Sequence, residues 1–364
     1  MRMKAEEYGG IVDAGTSLRR YYGLDGSGKG DPVIDQWLNE NQFRCVAAVL
    51  VDGMGISVMR KHLPQDSFLT ANIKEEISTV FPPTTAAATT AFLTGKYPCE
   101  TGWLGWNQYF AEKHDQIIMF YNKGQYTSRT YGNYTYEVLP VHMIYDELNA
   151  KGIQAETFWP SWSRVNPCKD FRSMCEKINA AVHDENCRFV YGYWDELDNY
   201  MHDFGPSDSG TGVLLEEIQS EIEKLSDRLP EDTGLLVLAD HSQIDVRHFD
   251  MLKNRSVAHT FVHCPSLEAR ACSIWVREGY RESFEENFHK LLGDSFVLMT
   301  HQEAVESGLF GKGKPHARFE DFIGDYLAVA VSDVQLDYGR NAEMKGNHAG
   351  GCREEAIVPV ILVP

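Results

Sequence analysis

The chain has no pair of cysteines at C-x-x-C spacing, no apolar run of membrane-spanning length and no excess of basic residues. Its eight cysteines (Cys45, Cys99, Cys168, Cys175, Cys187, Cys264, Cys272 and Cys352) are scattered, mostly within apolar runs. A thiolate zinc site needs close pairs, so a Cys-based structural metal is set aside. A reduced, cytoplasmic setting is the expectation. The opening MRMKAEEYGGIVDAG lacks the apolar stretch of a signal peptide, and no membrane partner is expected. Thirty-four Lys and Arg face fifty-three Asp and Glu, for a formal charge of -19. A protein that tracks nucleic-acid phosphates normally shows the opposite balance, so nucleic acid is not an expected partner. A small anionic substrate is compatible with this charge only where a local cationic centre overrides the overall field, which points to metal ions. Neither a G-x-S-x-G elbow nor an H-E-x-x-H helix occurs. The segment from Gly23 to Lys29 imitates a P-loop but continues with Gly30 where Ser or Thr is needed, and reads as a surface loop.

What is present is ample apolar material, 43% of the residues, which excludes disorder for the bulk of the chain. CVAAVLV (45–51) is a solidly apolar run of the kind that forms a buried parallel strand. Further strands are expected at 75–80, 153–158, 187–194, 234–239 and 270–276. Helices are expected at 54–63, 142–151, 170–182, 213–227 and 281–292. The segment FPPTTAAATTAFLTG carries helix punctuation at both ends, with Thr84 or Thr85 as cap and Gly95 as stop. Alternating strand and helix predict an α/β fold, a mostly parallel central sheet sandwiched by helices, with smaller inserted cap regions. Residues 1–40 read as a loose extension and 41–364 as a single catalytic domain. Within it, the Tyr-, Asn- and Gly-rich segment 105–137 is a candidate lid and 245–325 an accessory excursion. The aromatic group Trp103, Trp106, Tyr109 and Phe110 reads as packing rather than a base-stacking platform.

Asp52, Asp195 and Asp240 each follow an apolar strand candidate closely, where ligand crevices of parallel sheets lie. Singly, such aspartates are often helix caps. Together they would repel one another without cations between them. Asp240-His241 sets carboxylate beside imidazole, Asp198 and His202 stand four apart on one helical face, and His348 lies in a Gly-flanked loop. Mixed Asp and His ligands suit a catalytic zinc or manganese centre. Thr85, at the expected helix start, is either a plain cap or a hydroxyl nucleophile facing free backbone amides.

Val-Asp-Gly-Met-Gly (51–55), FPPTTAAATTAFLTGKYP, Asp198-x-x-x-His202, Ala-Asp-His (239–241) and His348 followed by Glu-Glu occur in that order. This set resembles the alkaline phosphatase superfamily, and within it the type I phosphodiesterase/nucleotide pyrophosphatase branch, from about residue 45 onward. The resemblance implies two divalent ions, Zn²⁺ first and Mn²⁺ second. One would be held by Asp52, Asp240 and His241 and touched by the nucleophile Thr85, the other by Asp198, His202 and His348. It favours Thr85, ten positions before Gly95, over Thr84, eleven before it, and Asp198 over Asp195 as the partner of His202. A family asparagine that grips a phosphoryl oxygen falls near Asn107, one residue out of step. The implied function is metal-dependent hydrolysis of phosphate diesters or nucleotide pyrophosphates through a covalent threonine intermediate, on a small phosphorylated or nucleotide substrate. Phosphomonoesterase, phosphotransferase or mutase activity on the same scaffold, or a non-catalytic metal-binding relative, are the alternatives. Ser242 stands where the family has Gly.

Overall fold

The computed structural model describes residues 2–338 and 343–363. Cys45–Val51 is buried at every position, as a strand covered on both faces must be. It forms the middle of a seven-stranded sheet in the order Ile73–Ser78, Ile357–Val363, Thr233–Leu238, Cys45–Val51, Cys187–Trp194, Gln154–Pro160, Pro167–Cys168. Parallel pairs run from Thr233–Leu238 through to Pro167–Cys168. Ile357–Val363 runs against both of its neighbours. Pro359 is tolerated there because it faces Glu76, and pairing with Thr233–Leu238 begins only at Val360. Helices flank the sheet. Phe171–Val182, for example, buries Phe171, Met174, Cys175, Ile178 and Val182 at helical spacing. Among the described residues no helix is long and apolar enough to cross a membrane.

The two segments that break the α/β rhythm are not separate. Phe296–Thr300, Tyr326–Ala330, Ala271–Ile274, Ser266–Leu267, Asn107–Phe110, Asp115–Ile118 and Lys123–Gly124 form a second, antiparallel sheet. The seam between the excursions is the pairing of Leu267 with Asn107. Ala271–Ile274, expected within the alternating pattern, therefore belongs to this accessory sheet. Trp103 and Phe110 are fully buried in its core, as the packing reading expected.

Residues 2–40 are not a loose extension. Gly10–Tyr21 and Pro32–Asn41 are helices. The former packs against helix Thr85–Thr94, in which all ten residues are buried. Small side chains make that approach possible. A Cβ at Gly15 would stand 2.0 Å from the Phe92 carbonyl oxygen. The polar composition that suggested an extension is absorbed internally: Thr16 Oγ1 accepts from the Gly28 amide at 3.1 Å, and Asp13 accepts from that of Lys29 at 2.6 Å. The Ser27, Gly28 and Lys29 amides of the P-loop imitation are thus engaged by the chain's own carbonyl and side chains.

Gly15→Val should lower the thermal midpoint clearly, since overpacking of a closed helix contact costs about 1–3 kcal/mol. It should also cut activity, because the helix it displaces begins at Thr85. A melting curve and a turnover assay within error of the parent would show that this contact does not hold the helix.

Candidate active site

Strand order brings the acidic residues together. Asp52 leaves Cys45–Val51 and Asp240 lies two residues past Leu238, on neighbouring parallel strands with Leu50 opposite Leu238. Asp198 lies in the first turn of helix Glu196–Phe204, which follows Cys187–Trp194, the other neighbour of the central strand. His348 arrives from Gly346–Asn347, paired with Ile244–Asp245 just beyond His241. Two triads result, Asp52–Asp240–His241 and Asp198–His202–His348, each with one ligand atom per residue within 4.8 Å of the others. The His241 and His348 rings stack with centroids 3.8 Å apart, so the triads adjoin.

The second ring of contacts prepares the donors. His202 Nδ1 lies 3.0 Å from the Gly346 oxygen, His348 Nδ1 2.9 Å from that of Pro83, and His241 Nδ1 3.2 Å from that of Ser242. A carbonyl only accepts, so each Nδ1 carries the proton and each Nε2 offers a lone pair. Asp52 Oδ1 and Asp240 Oδ2 are buried without a hydrogen-bond partner among the described residues. Such atoms are costly unless something else satisfies them. Burial pushes the Asp52 carboxyl well up from its ordinary value, and the charges of Asp240 and Asp198 push it further. Asp240 is raised by burial, against the pull of His241 and with that of Asp198. For Asp198, burial acts upward but the adjoining His202 outweighs it and holds the carboxyl low. Burial drives His348 well below the usual histidine range, and His241 adds to it. The donor set, its tautomers and its orphaned oxygens fit a pair of divalent cations.

Thr85 is the first residue of its helix, with Oγ1 3.3 Å from Asp52 Oδ2 and 3.2 Å from His241 Nε2. Tyr193 donates its hydroxyl to the same Asp52 oxygen. Thr84 is the N-cap, but its hydroxyl does not cap the helix; it donates to Glu268 at 2.5 Å. The first helical amides therefore receive no side-chain cap and remain available to an anion. Gly95 closes the helix in the left-handed conformation, as expected.

Thr85, Asp52 and Asp198 line one end of a cavity of about 1240 Å³ whose walls include Trp106, Tyr121, Trp159 and Trp162. Trp106 thus faces the cavity, while Tyr109 stacks on His263 away from it. Asp195 is directed to the cavity wall, accepting from Trp162 Nε1 at 2.7 Å, whereas Asp198 stands 3.2 Å from His202. Asn107 donates its amide to the Leu267 oxygen at 3.2 Å, and its preceding neighbour Trp106 forms the wall instead. Ser242 Oγ lies 2.7 Å from Ser57 Oγ, and its amide donates to the Glu355 oxygen. Three supports escaped the sequence reading. Gln243 donates to Asp198, Tyr193 to Asp52, and the fully buried Arg270–Glu355 pair holds the Gly350 amide two residues from His348. Only Glu355 had a signal, as part of the Glu-Glu after His348.

An α/β sheet with two adjoining Asp/His triads at its strand ends and a threonine against one of them defines a phosphoryl-transfer type of centre. The type I phosphodiesterase/nucleotide pyrophosphatase family matches residues 46–349, and the chain belongs to it. It is a hydrolase of phosphoester and pyrophosphate bonds within the alkaline phosphatase superfamily, whose members in this family work with two divalent metals. The fold is similar to murine ectonucleotide pyrophosphatase/phosphodiesterase 5, at 16% identity, 87% coverage of both chains and a TM-score of 0.66. The human counterpart gives 14%, 87% of both chains and 0.67. Phosphonoacetate hydrolase from Sinorhizobium meliloti 1021, in complex with phosphonoformate, gives 14%, 88% of this chain, 90% of that one and 0.64. Comparison with curated protein sequences yields no match.

With metal removed, Asp52 is a buried carboxyl whose folded value is raised, so stability falls as pH rises from the ordinary carboxylate value to the raised one and stays reduced above it. Asp52→Asn keeps an acceptor for Tyr193 and sets an amide toward His241 Nε2, 3.3 Å from Asp52 Oδ1. In chelator at pH 8 its thermal midpoint should exceed the parent's by about 2 °C or more. A lower midpoint would mean that the repulsion is not felt.

Proposed function

We propose that the protein hydrolyses phosphate diesters or nucleotide pyrophosphates by two displacements through a covalent threonine ester, with Zn²⁺ in both triads and Mn²⁺ as the functional substitute. The observation that carries this reading is Thr85 Oγ1 at 3.3 and 3.2 Å from members of one triad, at the start of a helix with uncapped amides. Bound divalent cations would supply Lewis acidity, which makes a hydroxyl nucleophilic near neutral pH and offsets charge on the phosphoryl oxygens. Asp52, Asp240 and His241 would hold one ion and Asp198, His202 and His348 the other.

The chain's own residues do the rest. Thr85 directs its hydroxyl proton to Asp52 Oδ2, leaving a lone pair free for phosphorus. A Thr85 Oγ–P bond forms as the bond to the leaving oxygen breaks, and that oxygen departs with the electron pair and takes up a proton. Water then cleaves the threonine ester and returns the proton to Thr85. The helix amides donate to the non-bridging oxygens, where charge builds up. The cavity supports a diester or pyrophosphate over a simple monoester, since its aromatic walls leave room for a large second group. Arg164 is the sole basic residue on those walls among the described residues, which is poor provision for a small polyanion. An inactive threonine-to-alanine form of the murine relative, in complex with AMP, is consistent with this reading.

Elemental analysis of protein purified without chelator should find two metals per chain, and Asp198→Asn should reduce that number far more than Asp195→Asn. The reverse order would dismantle the second triad. Thr85→Ala should lower turnover of a chromogenic diester by roughly a thousandfold or more while leaving the fold intact. A chiral phosphorothioate diester should be hydrolysed with retention of configuration; inversion would rule out the covalent route.

A further inference from the structure

Glu268 belongs to neither triad and does not line the cavity. It lies in the turn between Ser266–Leu267 and Ala271–Ile274 of the accessory sheet. A single oxygen of its carboxylate, Oε1, accepts two hydrogen bonds, from the Thr84 hydroxyl at 2.5 Å and from the Trp106 amide at 2.6 Å. Thr84 is the N-cap of the helix that begins at Thr85, and Trp106 is on the cavity wall. One atom therefore joins the entrance of that helix to the wall across from it, over separations of 184 and 162 residues.

The backbone before Glu268 is held in an unfavourable state to achieve this. Leu267 has φ of +74°, a left-handed conformation that a bulky side chain rarely adopts. It persists where surroundings over-determine it, which is a mark of functional placement. Here the surroundings are explicit. Leu267 pairs with Asn107, accepts the Asn107 side-chain amide at 3.2 Å, and lies against Gly105, where a Cβ would stand 3.0 Å from Leu267 Cα. Three residues on, Arg270 is locked into its buried pair with Glu355. Burial raises the Glu268 carboxyl to about 7, while the hydrogen bonds from Thr84 and Trp106 oppose the rise.

We propose that Glu268 is a positioning residue for the reaction. By drawing the Thr84 hydroxyl away from the helix end and fixing it to the Trp106 amide, it sets Thr85 in register with the triads and keeps the first helical amides open to the phosphoryl oxygens. The proposal rests on Thr85 being the nucleophile. Its distinctive content is that one acceptor oxygen suffices and the negative charge does not act in the reaction.

That content is testable because glutamine preserves the acceptor. With a chromogenic phosphodiester, Glu268→Gln should retain kcat within about threefold, whereas Glu268→Ala should lose about 10- to 100-fold, since small misplacements of reacting groups have effects of that size. Thr84→Val, which removes one of the two bonds without changing volume, should lie between them, and KM should change little throughout. Metal content and melting curves taken on each variant identify any that fails to fold; should alanine do so, the comparison of Thr84→Val with Glu268→Gln decides. Equal loss in the Gln and Ala variants would overturn the proposal in favour of a role for the charge. Unchanged kcat in Thr84→Val and Glu268→Ala would overturn it outright. Thr85→Ala, assayed alongside, reports separately on the nucleophile: full activity there would remove the underlying reading whatever Glu268 does.

Discussion

Like-charge repulsion in a buried space is the constraint on which the architecture turns. Asp52, Asp198 and Asp240 converge from the ends of three adjacent strands, or the helix directly after one, and all three are buried. A parallel sheet creates this convergence by running its strands the same way, so their carboxyl ends share one edge. The surroundings prepare for positive charge instead of avoiding the problem. Three imidazoles each give their Nδ1 proton to a carbonyl and turn the other nitrogen inward, and two carboxylate oxygens are left without partners. Such an arrangement is unfavourable as an end in itself and reasonable as one half of a metal centre.

The accessory sheet supplies the rest of the precision. Its Ser266–Ala271 turn reaches the catalytic sheet in two places. Glu268 takes hold of Thr84, and Arg270 engages Glu355, whose carboxylate and carbonyl in turn hold the Gly350 and Ser242 amides. Those amides neighbour His348 and His241. One short turn thus bears on the loops that carry three of the site's residues. The ion pair is fully buried, so removal of one partner would strand the other's charge.

Much of this was legible in the sequence, for identifiable reasons. The run at 45–51 and the aspartates after it, the Asp240-His241 dipeptide and the four-residue spacing of Asp198 and His202 are local patterns with local geometric meaning. The supports are not local. Nothing near Thr84 tells its hydroxyl to leave the helix end, because Glu268 lies 184 residues away. The seam between the two excursions is likewise a single pairing of Leu267 with Asn107, too short to register as a strand pattern. The N-terminal helices were missed for another reason. Gly15, Thr16 and Ser17 look like loop material by composition, yet Gly15 is what lets Gly10–Tyr21 meet Thr85–Thr94, and Thr16 and Ser17 bond the loop that follows.

That helix contact bears on how such a catalyst can diversify. Every residue of Thr85–Thr94 is buried, and its neighbour approaches where even a methyl group would not fit. Thr85 is therefore carried on an element with almost no freedom to accept altered side chains. The aromatic walls are built differently: Tyr121 and Trp162 are about half exposed, at 49% and 48%, and draw on segments outside the central sheet. Changes of leaving group would accumulate there, on a surface that can vary without disturbing the chemistry. The molecule divides into a tightly packed part that carries Thr85 and a more open part that lines the cavity.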